Sequence, residues 1–600
     1  MNKPVTAGPR QDAGPAPERA PARPAGPVLQ VRDLTVSFGT SRATVPAVHE
    51  VSFDLAPGEV LALVGESGSG KSTVGLAAMG LLDPARTTVR GSVRIGGGQQ
   101  PGQPAQDPPG GGTEIVGAPE ARLRRLRGSR VAMVFQDALA ALSPFHTVGD
   151  QLAEAYRIHH RDAGRKEARA RALAMLERVG IPAARAGDHP HRLSGGMRQR
   201  VVIAMALINE PEVLIADEPT TALDARVQRQ VLELIQELRA ETGTAVLFIT
   251  HDIGVVAAIG HRALVMRAGR VVEEGPTGRL LTAAGHPYTR ALVGAAPTLS
   301  TPPGSRLPTV EDPGPAPRAA PRPAAAAPDR RPAADPDPGP AVLAELDGVR
   351  VEFPGRRGPL LRRGRPVAAV RGVSLRLHRG ETLGLVGESG SGKSTLARVL
   401  AGLRRPTAGT VRFDGRDISR AAVDARLRRE LARDVQVVFQ DPYASLNPRR
   451  TVEEIVTTPL RFHTSLDAAA RRARAAELLE QVGLAPSHLS RHPHEFSGGQ
   501  RQRIGIARAL AVRPRLVIAD EPVSALDVSV QAQVLNLLMD LRAELGLSLL
   551  FISHDLAVVR HFCDRVAVLR AGEIVETGPR DQVFGAPRAD YTRELLDAVL

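Results

Sequence analysis

The sequence predicts an α/β protein that contains one domain twice in tandem. The same nine residues, GESGSGKST in one-letter code, occur at positions 65–73 and again at positions 387–395. Each copy follows a short apolar run, at 60–64 or 383–386, and precedes a segment with helical periodicity. A strand, a glycine-rich loop and a helix in this order are typical of a phosphate-binding loop. Because the nine residues recur without a change, we interpret both copies as such loops and not as ordinary glycine-rich turns.

Each part of the loop has a defined role toward a bound nucleotide. Glycines let the backbone curl so that N–H groups point at the β-phosphate, and the following helix adds the positive end of its dipole. Lys71 and Lys393 would place an ammonium near the β- and γ-phosphates, and Ser72 and Ser394 would offer a hydroxyl to Mg²⁺. The 78 lysines and arginines include only four lysines, which indicates that these two positions need a compact ammonium. The predicted nucleotide-binding residues are Gly65, Glu66, Ser67, Gly68, Ser69, Gly70, Lys71, Ser72 and Thr73, and Gly387, Glu388, Ser389, Gly390, Ser391, Gly392, Lys393, Ser394 and Thr395.

The spacing of the repeated motifs gives the domain organisation. Lys71 and Lys393 are 322 positions apart. After the low-complexity stretch 96–112, the separation between equivalent motif residues falls to 304 for Gln136 and Gln440, and then to 303 for Ser194 and Ser497. We interpret that stretch as a surface insertion, because it contains almost nothing that a core could bury. Residues 297–340 are rich in proline and alanine and predict a semi-extended linker. The predicted organisation is a disordered tail at 1–27, a nucleotide-binding domain at 28–296, the linker at 297–340 and a second domain at 341–600.

Composition narrows the classes of protein that are possible. The net charge of +14 suggests an anionic partner, but the arginines are scattered among acidic residues, and the densest run, 122–127, predicts a solvated helix face. Direct binding to nucleic acid is therefore not expected. A single cysteine cannot build a disulfide framework, a zinc cluster or an iron–sulfur site, and it fits a reducing compartment. The longest apolar run, 201–208, is far shorter than the roughly 18 to 20 residues that cross a bilayer.

Acidic residues and a histidine end two further apolar strands in each domain. Asp217-Glu218 and Asp520-Glu521 each follow a buried-strand pattern and precede a proline. We expect the aspartates to hold Mg²⁺, directly or through water, and the glutamates to polarise the attacking water. His251 and His554 end the next strands, where an imidazole can donate a hydrogen bond to the γ-phosphate. A lone histidine there would be an ordinary strand-end residue, but its recurrence at equal spacing favours the functional interpretation.

Serine–glycine–glycine motifs begin two more predicted helices. The N–H groups at a helix N-terminus attract anions, and the serine adds a hydroxyl. Each motif therefore predicts a second anion site in its domain. The residues are Ser194, Gly195 and Gly196 in the first domain and Ser497, Gly498 and Gly499 in the second.

The order of all these motifs resembles that of ATP-binding-cassette ATPases. The phosphate loops, Gln136 and Gln440 after phenylalanine, the serine–glycine–glycine helices, the Asp-Glu strand ends, Ala-Leu-Asp at 222–224 and 525–527, and the two histidines carry the resemblance. It covers nearly all of residues 28–295 and 341–600. It implies that each domain has a RecA-like core, an antiparallel β subdomain and a helical subdomain.

The resemblance also implies how the residues combine. The domains would meet head to tail and share each ATP, which is bound with Mg²⁺. One site would use Lys71, Ser72, Gln136, Asp217, Glu218 and His251 against Ser497, Gly498 and Gly499. Its mate would use Lys393, Ser394, Gln440, Asp520, Glu521 and His554 against Ser194, Gly195 and Gly196. The implied metal ligands are Ser72, Gln136 and Asp217, and Ser394, Gln440 and Asp520. Phe38 and Phe353 precede the two loops and are expected to stack on adenine, the alternative being plain strand-core phenylalanines.

Details of the motifs resemble one branch of this family, the dipeptide, oligopeptide and nickel importers, with two different ATPase subunits fused as in glutathione importers. The sequence 285–290, GHPYTR, resembles the C-terminal signature of that branch, although the corresponding 587–592 lacks His-Pro. Ala138 replaces the proline found at Pro442, so contacts of the first domain with a membrane subunit are expected to differ. This resemblance implies two transmembrane permease subunits, an extracytoplasmic solute-binding protein and a peripheral location on the cytoplasmic face of the membrane.

Other twin-cassette proteins fit the sequence less well. Ribosome-acting translation factors usually join their cassettes by a charged helix, which the prolines of 297–340 exclude. DNA-damage recognition ATPases carry zinc-binding cysteine modules, and chromosome-organising ATPases need long heptad segments. Neither feature occurs in the sequence. Because neither half has lost its glutamate, histidine or signature serine, we expect both ATP sites to hydrolyse ATP.

Overall fold

The computed structural model describes residues 26–39, 44–96, 112–221, 223–309, 341–354, 366–524 and 526–599. Most of the predicted N-terminal tail, the centre of the predicted insertion and residues 310–340 of the predicted linker lie outside these ranges. We call residues 28–296 the first cassette and residues 341–599 the second cassette. Within the described residues, no helix is both long and apolar enough to span a membrane.

The first cassette contains ten strands and ten α-helices among its described residues. The strands are β1 (Leu29–Gly39), β2 (Thr44–Leu55), β3 (Val60–Val64), β4 (Thr87–Ile95), β5 (Thr113–Glu114), β6 (Val131–Val134), β7 (Val213–Asp217), β8 (Ala245–Thr250), β9 (Arg262–Arg267) and β10 (Arg270–Pro276). The helices are α1 (Lys71–Ala78), α2 (Glu120–Leu126), α3 (Ala138–Ala141), α4 (Val148–His159), α5 (Arg165–Arg178), α6 (Gly195–Leu207), α7 (Ala225–Thr242), α8 (Ile253–Ile259), α9 (Thr277–Thr282) and α10 (Pro287–Ala295).

The second cassette repeats this order in its described residues. Its strands are β11 (Val342–Phe353), β12 (Val367–His378), β13 (Thr382–Val386), β14 (Ala408–Phe413), β15 (Arg416–Asp417), β16 (Val435–Val438), β17 (Leu516–Asp520), β18 (Ser548–Ile552), β19 (Arg565–Arg570) and β20 (Glu573–Pro579). Its helices are α11 (Lys393–Leu400), α12 (Ala425–Asp434), α13 (Pro442–Ser445), α14 (Val452–His463), α15 (Ala468–Gln481), α16 (Gly498–Leu510), α17 (Val528–Leu545), α18 (Leu556–Phe562), α19 (Arg580–Gly585) and α20 (Asp590–Asp597).

A six-stranded sheet forms the centre of each cassette. Its order is β10-β9-β3-β8-β7-β6 in the first and β20-β19-β13-β18-β17-β16 in the second, and every neighbouring pair is parallel except the outermost hairpin. Strands β3, β7 and β8 are buried along their whole length, as expected for parallel strands covered on both faces. Their carboxyl ends lie at one edge of the sheet, which brings the segments after Val64, Asp217 and Thr250 together.

A four-stranded sheet packs against one face of each central sheet. Its order is β2-β1-β4-β5 in the first cassette and β12-β11-β14-β15 in the second, and the pairs are antiparallel. Its side chains alternate between buried and exposed positions, because one face packs on the core and the other meets solvent. In the first cassette β4 and β5 pair at Ile95 and Thr113, so both ends of the predicted insertion lie at the same end of this sheet.

Helices α4, α5 and α6 cover the other side and share a core with β6, β7 and β8. The three components are the predicted RecA-like core, antiparallel β subdomain and helical subdomain. Predicted helical sequence at 165–179 corresponds to α5, and the predicted strand at 245–250 corresponds to β8. The fold class predicted from the sequence is therefore confirmed.

Residues 297–309 follow α10 and lie against the second cassette. Ala295 and Leu307 are buried in the same apolar cluster as residues of α16, α17 and α18. The first part of the predicted semi-extended linker at 297–340 is thus packed on the second cassette, where apolar and polar groups hold it in place.

Candidate active site

Each phosphate-binding loop connects a buried strand to a helix through backbone that requires glycine. Gly70 and Gly392, which cap α1 and α11, have φ values of 100° and 108°. A Cβ on Gly70 would lie 2.6 Å from the carbonyl oxygen of Ala47, and one on Gly392 would lie 2.4 Å from that of Ala369. Side chains rarely adopt such angles, and here they would also clash with the antiparallel sheet. The predicted role of glycine in curving the loop is consistent with this geometry.

The lysine ammonium groups are bound to carbonyl oxygens of their own loops. Lys71 Nζ donates to the carbonyl oxygens of Gly65 and Glu66 at 2.7 and 2.8 Å. Lys393 Nζ donates in the same way to Gly387 and Glu388 at 2.7 and 2.9 Å. Both side chains are 5% exposed. Burial lowers the pKa of both lysines, and nearby carboxylates, with Glu218 and Glu521 first, partly oppose that shift.

A serine hydroxyl and an aspartate carboxylate meet beside each loop. Ser72 Oγ donates to Asp217 Oδ1 at 3.0 Å, and Ser394 Oγ donates to Asp520 Oδ1 at the same distance. Burial raises the pKa of Asp217 to about 6 and also raises that of Asp520, and the serine hydrogen bonds only partly oppose the shift. Two hard oxygen atoms in a buried, anionic position fit Mg²⁺, which binds through few protein oxygens, substrate phosphates and water.

The strand-end glutamate is held by a histidine and a glutamine. His251 Nδ1 lies 3.0 Å from Glu218 Oε1, and Gln136 Nε2 donates to Glu218 Oε2 at 2.8 Å. In the second cassette, His554 Nδ1 lies 3.3 Å from Glu521 Oε2, and Gln440 Nε2 donates to that oxygen at 2.8 Å. The sequence interpretation assigned both glutamines to the metal. Their amides lie instead against the glutamates in this arrangement.

The glutamate and histidine of each pair shift each other's titration. Burial raises the pKa of Glu218, but the hydrogen bond and charge of His251, together with the hydroxyl of Thr221 and the charge of Lys71, lower it more, so the carboxyl pKa lies below its usual value. Burial lowers the pKa of His251, but the hydrogen bond and charge of Glu218, together with the charges of Asp527 and Asp252, raise it more. Glu521 and His554 shift in the same directions for the same reasons. Within each pair, the contact therefore favours the carboxylate form of the glutamate and the imidazolium form of the histidine.

The glutamates also have unusual backbone angles. Glu218 and Glu521 have φ values of 47° and 50°, a left-handed conformation that is uncommon for residues other than glycine. The N–H of each donates to a carbonyl oxygen near the end of the neighbouring strand, that of Ile249 in β8 or of Ile552 in β18. This turn directs the glutamate away from the sheet and toward the histidine at the end of the adjacent strand.

The serine–glycine–glycine motifs cap α6 and α16 as predicted. Ser194 Oγ accepts the N–H of Met197, and Ser497 Oγ accepts the N–H of Gln500, each at 3.3 Å. The second glycine of each motif is in close contact with another helix. A Cβ on Gly196 would lie 2.4 Å from Val227 of α7, and one on Gly499 would lie 2.1 Å from Val530 of α17.

Each phosphate loop is also bound by the other cassette. The N–H of Ser67 donates to Asp527 Oδ1 at 2.7 Å, and the N–H of Ser389 donates to Asp224 Oδ2 at 3.2 Å. Asp527 and Asp224 cap α17 and α7, the helices that pack on the serine–glycine–glycine motifs. The two cassettes are thus arranged head to tail, with Asp224 of the first and Asp527 of the second each beside the loop of the other.

Sequence reasoning missed a tyrosine that contacts each loop. The hydroxyl of Tyr288 in α10 accepts the N–H of Glu66, and that of Tyr591 in α20 accepts the N–H of Glu388, both at 3.3 Å. Burial raises the pKa of both hydroxyls to about 12. The signal available in the sequence was that two of only four tyrosines occur at equivalent positions. Asp224 and Asp527 were likewise noted only as part of the Ala-Leu-Asp motifs, and their contacts with the phosphate loops were not predicted.

The predicted adenine-stacking residues have different surroundings. Phe353 lies at the end of β11 with the guanidinium of Arg404 3.8 Å above its ring. Phe38 lies in β1, partly buried against the core of the first cassette. Leu82 occupies the position equivalent to Arg404. Arg404 therefore covers one ring face of Phe353, whereas the equivalent residue of the first cassette, Leu82, has no charge.

The fold and the paired sites define a P-loop ATPase with two cassettes, and comparison with known proteins gives the same class. Residues 48–221 and 370–524 match the family model described as ABC transporter, and residues 272–324 match one described as oligopeptide/dipeptide transporter, C-terminal region. The chain therefore belongs to the ABC transporter family, as an ATPase subunit of the oligopeptide and dipeptide type.

Two curated relatives resemble the chain along nearly its whole length. It is 46% identical to the oligopeptide transport ATP-binding protein OppD of Mycobacterium tuberculosis, over 96% of this chain and 98% of that protein. It is 47% identical to the glutathione import ATP-binding protein GsiA of Escherichia coli, over 96% of this chain and 90% of that protein. Among solved structures, a dimer of the ATP-binding cassette MJ0796 with ADP and Pi is 32% identical, covers 40% of this chain and 99% of that chain, and has a TM-score of 0.36.

Proposed function

We propose that the two cassettes bind two ATP molecules at their shared interface and that hydrolysis drives the import of peptides or related small solutes through separate permease subunits. The observation that carries this proposal is the reciprocal contact between cassettes. Asp527 accepts a hydrogen bond from the N–H of Ser67, and Asp224 accepts one from the N–H of Ser389. Both loops therefore face the opposite cassette, which supports composite sites and not two independent ones.

The composite site that contains Lys71 combines groups from both cassettes. The Lys71 ammonium exchanges the carbonyl oxygens of Gly65 and Glu66 for the β- and γ-phosphates, which it binds as a point charge. The N-termini of α1 and α16 supply N–H groups for the phosphate oxygens, and Ser497 adds its hydroxyl. Phe38 supplies the stacking surface for adenine. The site that contains Lys393 uses the equivalent residues with Ser194 and Phe353.

Magnesium fits the oxygen donors of each site. Ser72 and Asp217 would hold the ion in one site, and Ser394 and Asp520 would hold it in the other. Burial raises the pKa of both aspartates, and a cation beside them would favour the carboxylate form. When bound with ATP, the ion neutralises charge that develops on the transferred phosphoryl group. Gln136 and Gln440 would complete this set only after leaving the glutamates.

Water activation requires a rearrangement of the glutamate contacts. Glu218 Oε1 is bound to His251, and Oε2 accepts from both Gln136 and Thr221. A carboxylate oxygen needs a free lone pair to accept a proton from water. Movement of Gln136 toward the γ-phosphate would free one lone pair of Oε2 while Thr221 keeps its hydrogen bond. His251 as an imidazolium can then keep Nδ1–H on the glutamate while Nε2–H donates to the γ-phosphate.

The relatives support the proposed solute class and the proposed partners. They are named for oligopeptide transport and glutathione import. We propose that this chain powers the import of peptides or of a solute of that kind. It would bind two permease subunits at the cytoplasmic face of the membrane, and an extracytoplasmic binding protein would deliver the solute to those subunits. The aromatic side chains Phe145 and Tyr443 are 84% and 65% exposed. They follow Gln136 by nine residues and Gln440 by three in the chain, and they suit a permease contact.

Reconstitution with the permeases tests this function. The complete chain and its permease subunits would be placed in liposomes with the binding protein, and ATPase activity would be measured with dipeptides, oligopeptides, glutathione and nickel chelates. We expect ATPase stimulation and uptake by at least one peptide-like solute. Recovery of the chain with ribosomes or DNA, with none on membranes that contain the permeases, would contradict the proposal.

A further inference from the structure

A short segment that follows the first cassette is held against the second cassette by specific hydrogen bonds and apolar contacts. We name residues 298–309 the strap. The strap leaves the end of α10, crosses α18 and ends beside the middle of α17. Pro308 lies close to Gly294, since a Cβ there would be 3.1 Å from the proline ring. The strap therefore folds back onto its own helix while it contacts the other cassette.

A buried asparagine recognises the backbone of the strap at two points. Asn536 Oδ1 accepts the N–H of Leu307 at 3.0 Å, and Asn536 Nδ2 donates to the Leu307 carbonyl oxygen at 2.8 Å. Asn536 is 4% exposed and Leu307 is 3% exposed. A side-chain amide that pairs with both backbone groups of one residue requires extended backbone in one register. Buried polar groups of this kind are costly to leave without partners.

Three more contacts fix the rest of the strap. The N–H of Gly304 donates to the carbonyl oxygen of His561 at 2.9 Å. Arg306 pairs with both carboxylate oxygens of Asp540 at 3.1 and 3.2 Å. The Leu307 side chain enters the apolar cluster of the second cassette together with Ala295. Apolar burial, backbone pairing and charge therefore act along one short stretch of chain.

The first cassette has no equivalent acceptor for such a segment. Glu233 occupies the position of Asn536, and its carboxylate cannot donate to a backbone carbonyl. Glu233 is instead exposed and pairs with Arg229 at 3.3 Å. Ala258 occupies the position of His561. The docking surface is therefore specific to the second cassette.

We propose that the strap is a permanent docking element, which holds the second cassette to the C-terminal end of the first while the interface at the phosphate loops opens and closes. Asn536 lies nine residues beyond Asp527, about 13 Å along α17 at 1.5 Å per residue. The strap contacts are therefore separate from the loop contact at Asp527. Breaking the loop contact leaves the strap engaged, so α17 has one fixed contact and one reversible contact with the first cassette.

Cleavage of the complete chain tests the strap without changing either cassette. One protein carries a specific protease site after Ala296, which detaches the strap from the first cassette. A matched protein carries the same site at position 325, which leaves the strap attached. After cleavage without nucleotide, we expect the halves cut at 325 to stay together during gel filtration. The dissociation constant of the halves cut after Ala296 should be at least about tenfold higher than that of the halves cut at 325, because buried hydrogen bonds and a buried leucine no longer join them.

A point variant tests the asparagine itself. In the protein cut at 325, Asn536→Leu should weaken association by a similar factor, whereas Glu233→Gln at the equivalent position should have no effect. Equal association of all four proteins would overturn the proposal. If Asn536→Leu lowers the thermal stability of the second cassette, the comparison of the two cut positions still decides. A dimer of the uncut chain that dissociates on dilution and is lost in Asn536→Leu would show that the strap docks on a second copy, which would also overturn docking within one chain.

Discussion

At the scale of residues, we propose that the glutamates that follow β7 and β17 decide whether bound ATP is cleaved. Glu218 and Glu521 have the same left-handed backbone, the same histidine partner and the same glutamine partner. The histidine and glutamine of Glu521 contact one oxygen, whereas those of Glu218 contact separate oxygens. Thr221 also donates to the Glu218 carboxylate, whereas Ser524 donates to the backbone carbonyl oxygen of Glu521. This similarity supports equal chemistry at the two sites.

Replacement of each glutamate by glutamine tests that equality. Glu218→Gln and Glu521→Gln keep the shape of the side chain but remove the negative charge that polarises water. We expect each to lower hydrolysis at its own site by about 10²- to 10⁴-fold, while ATP still binds. Steady-state ATPase and transport assays measure the effect, and the double variant should bind ATP without turnover. Near-normal activity in Glu218→Gln with loss of activity in Glu521→Gln would show unequal sites.

The tyrosine contacts predict a second effect at this scale. Tyr288→Phe removes only the hydroxyl that accepts the N–H of Glu66. Because a hydrogen bond of this kind contributes about 0.5–1.5 kcal/mol, we expect the KM for ATP to rise about two- to tenfold with little change in kcat. Tyr591→Phe should act in the same way. Tyr156→Phe, whose ring lies in α4 and stacks on His160, is the matched control, and an equal KM change in that variant would contradict the assignment.

At the scale of elements, the segment between the cassettes has two parts with different roles. Residues 298–309 are packed on α17 and α18, whereas the stretch from Pro313 to Pro340 lies outside the described residues. The proline content that predicted a tether is concentrated in this later stretch. The structure thus assigns specific contacts to the beginning of the segment.

A cut in the later stretch separates these roles. Cleavage between Pro313 and Pro340 leaves the strap attached to the first cassette and in contact with the second. We expect the ATPase activity of the complex reconstituted with its permeases to stay within about twofold of the uncut value. The strap contacts keep the two cassettes associated after the covalent connection between them is cut. A collapse of activity with both halves still in the complex would show that the later stretch also has a catalytic or coupling role.

At the scale of the whole molecule, the head-to-tail arrangement is not symmetric. Arg226, next to the Ala-Leu-Asp segment of the first cassette, pairs with Glu388 at 3.3 Å and with Glu594 at 3.5 Å. Ser529 occupies the equivalent position in the second cassette. Together with the strap, this ion pair gives the two halves of the interface different contacts around similar catalytic groups.

Salt dependence distinguishes the arginine from the strap. Arg226 is 43% exposed and its partners are also partly exposed, so the pair is weak and screened by ions. In the protein cut at 325, we expect Arg226→Ser to weaken association by no more than about fivefold at low salt, and to have no effect at about 1 M salt. Arg169→Ser, which removes a pair within the first cassette, is the control. An effect of Arg226→Ser that persists at high salt would contradict a mainly electrostatic role.

The sequence by itself determined the local elements and the residues that meet at the sheet edge. Apolar runs at 60–64 and 245–250 are strands because both faces are buried, and the glycines at 70 and 392 curve the loops because no side chain fits there. Parallel strands end at one edge, so residues that follow them in the chain must converge. The repeat and the motif order therefore predicted the fold class, the two cassettes and the choice of candidate residues.

Only the tertiary structure decided which groups touch. The contact of Asp527 with the N–H of Ser67 joins residues that are 460 positions apart, and no local pattern encodes such a pairing. The tyrosine hydroxyls, the strap and the placement of Gln136 on Glu218 follow from side-chain directions and from the packing of one cassette on the other. Propensity and periodicity describe a residue's own strand or helix, whereas these contacts depend on how separate elements are placed in three dimensions.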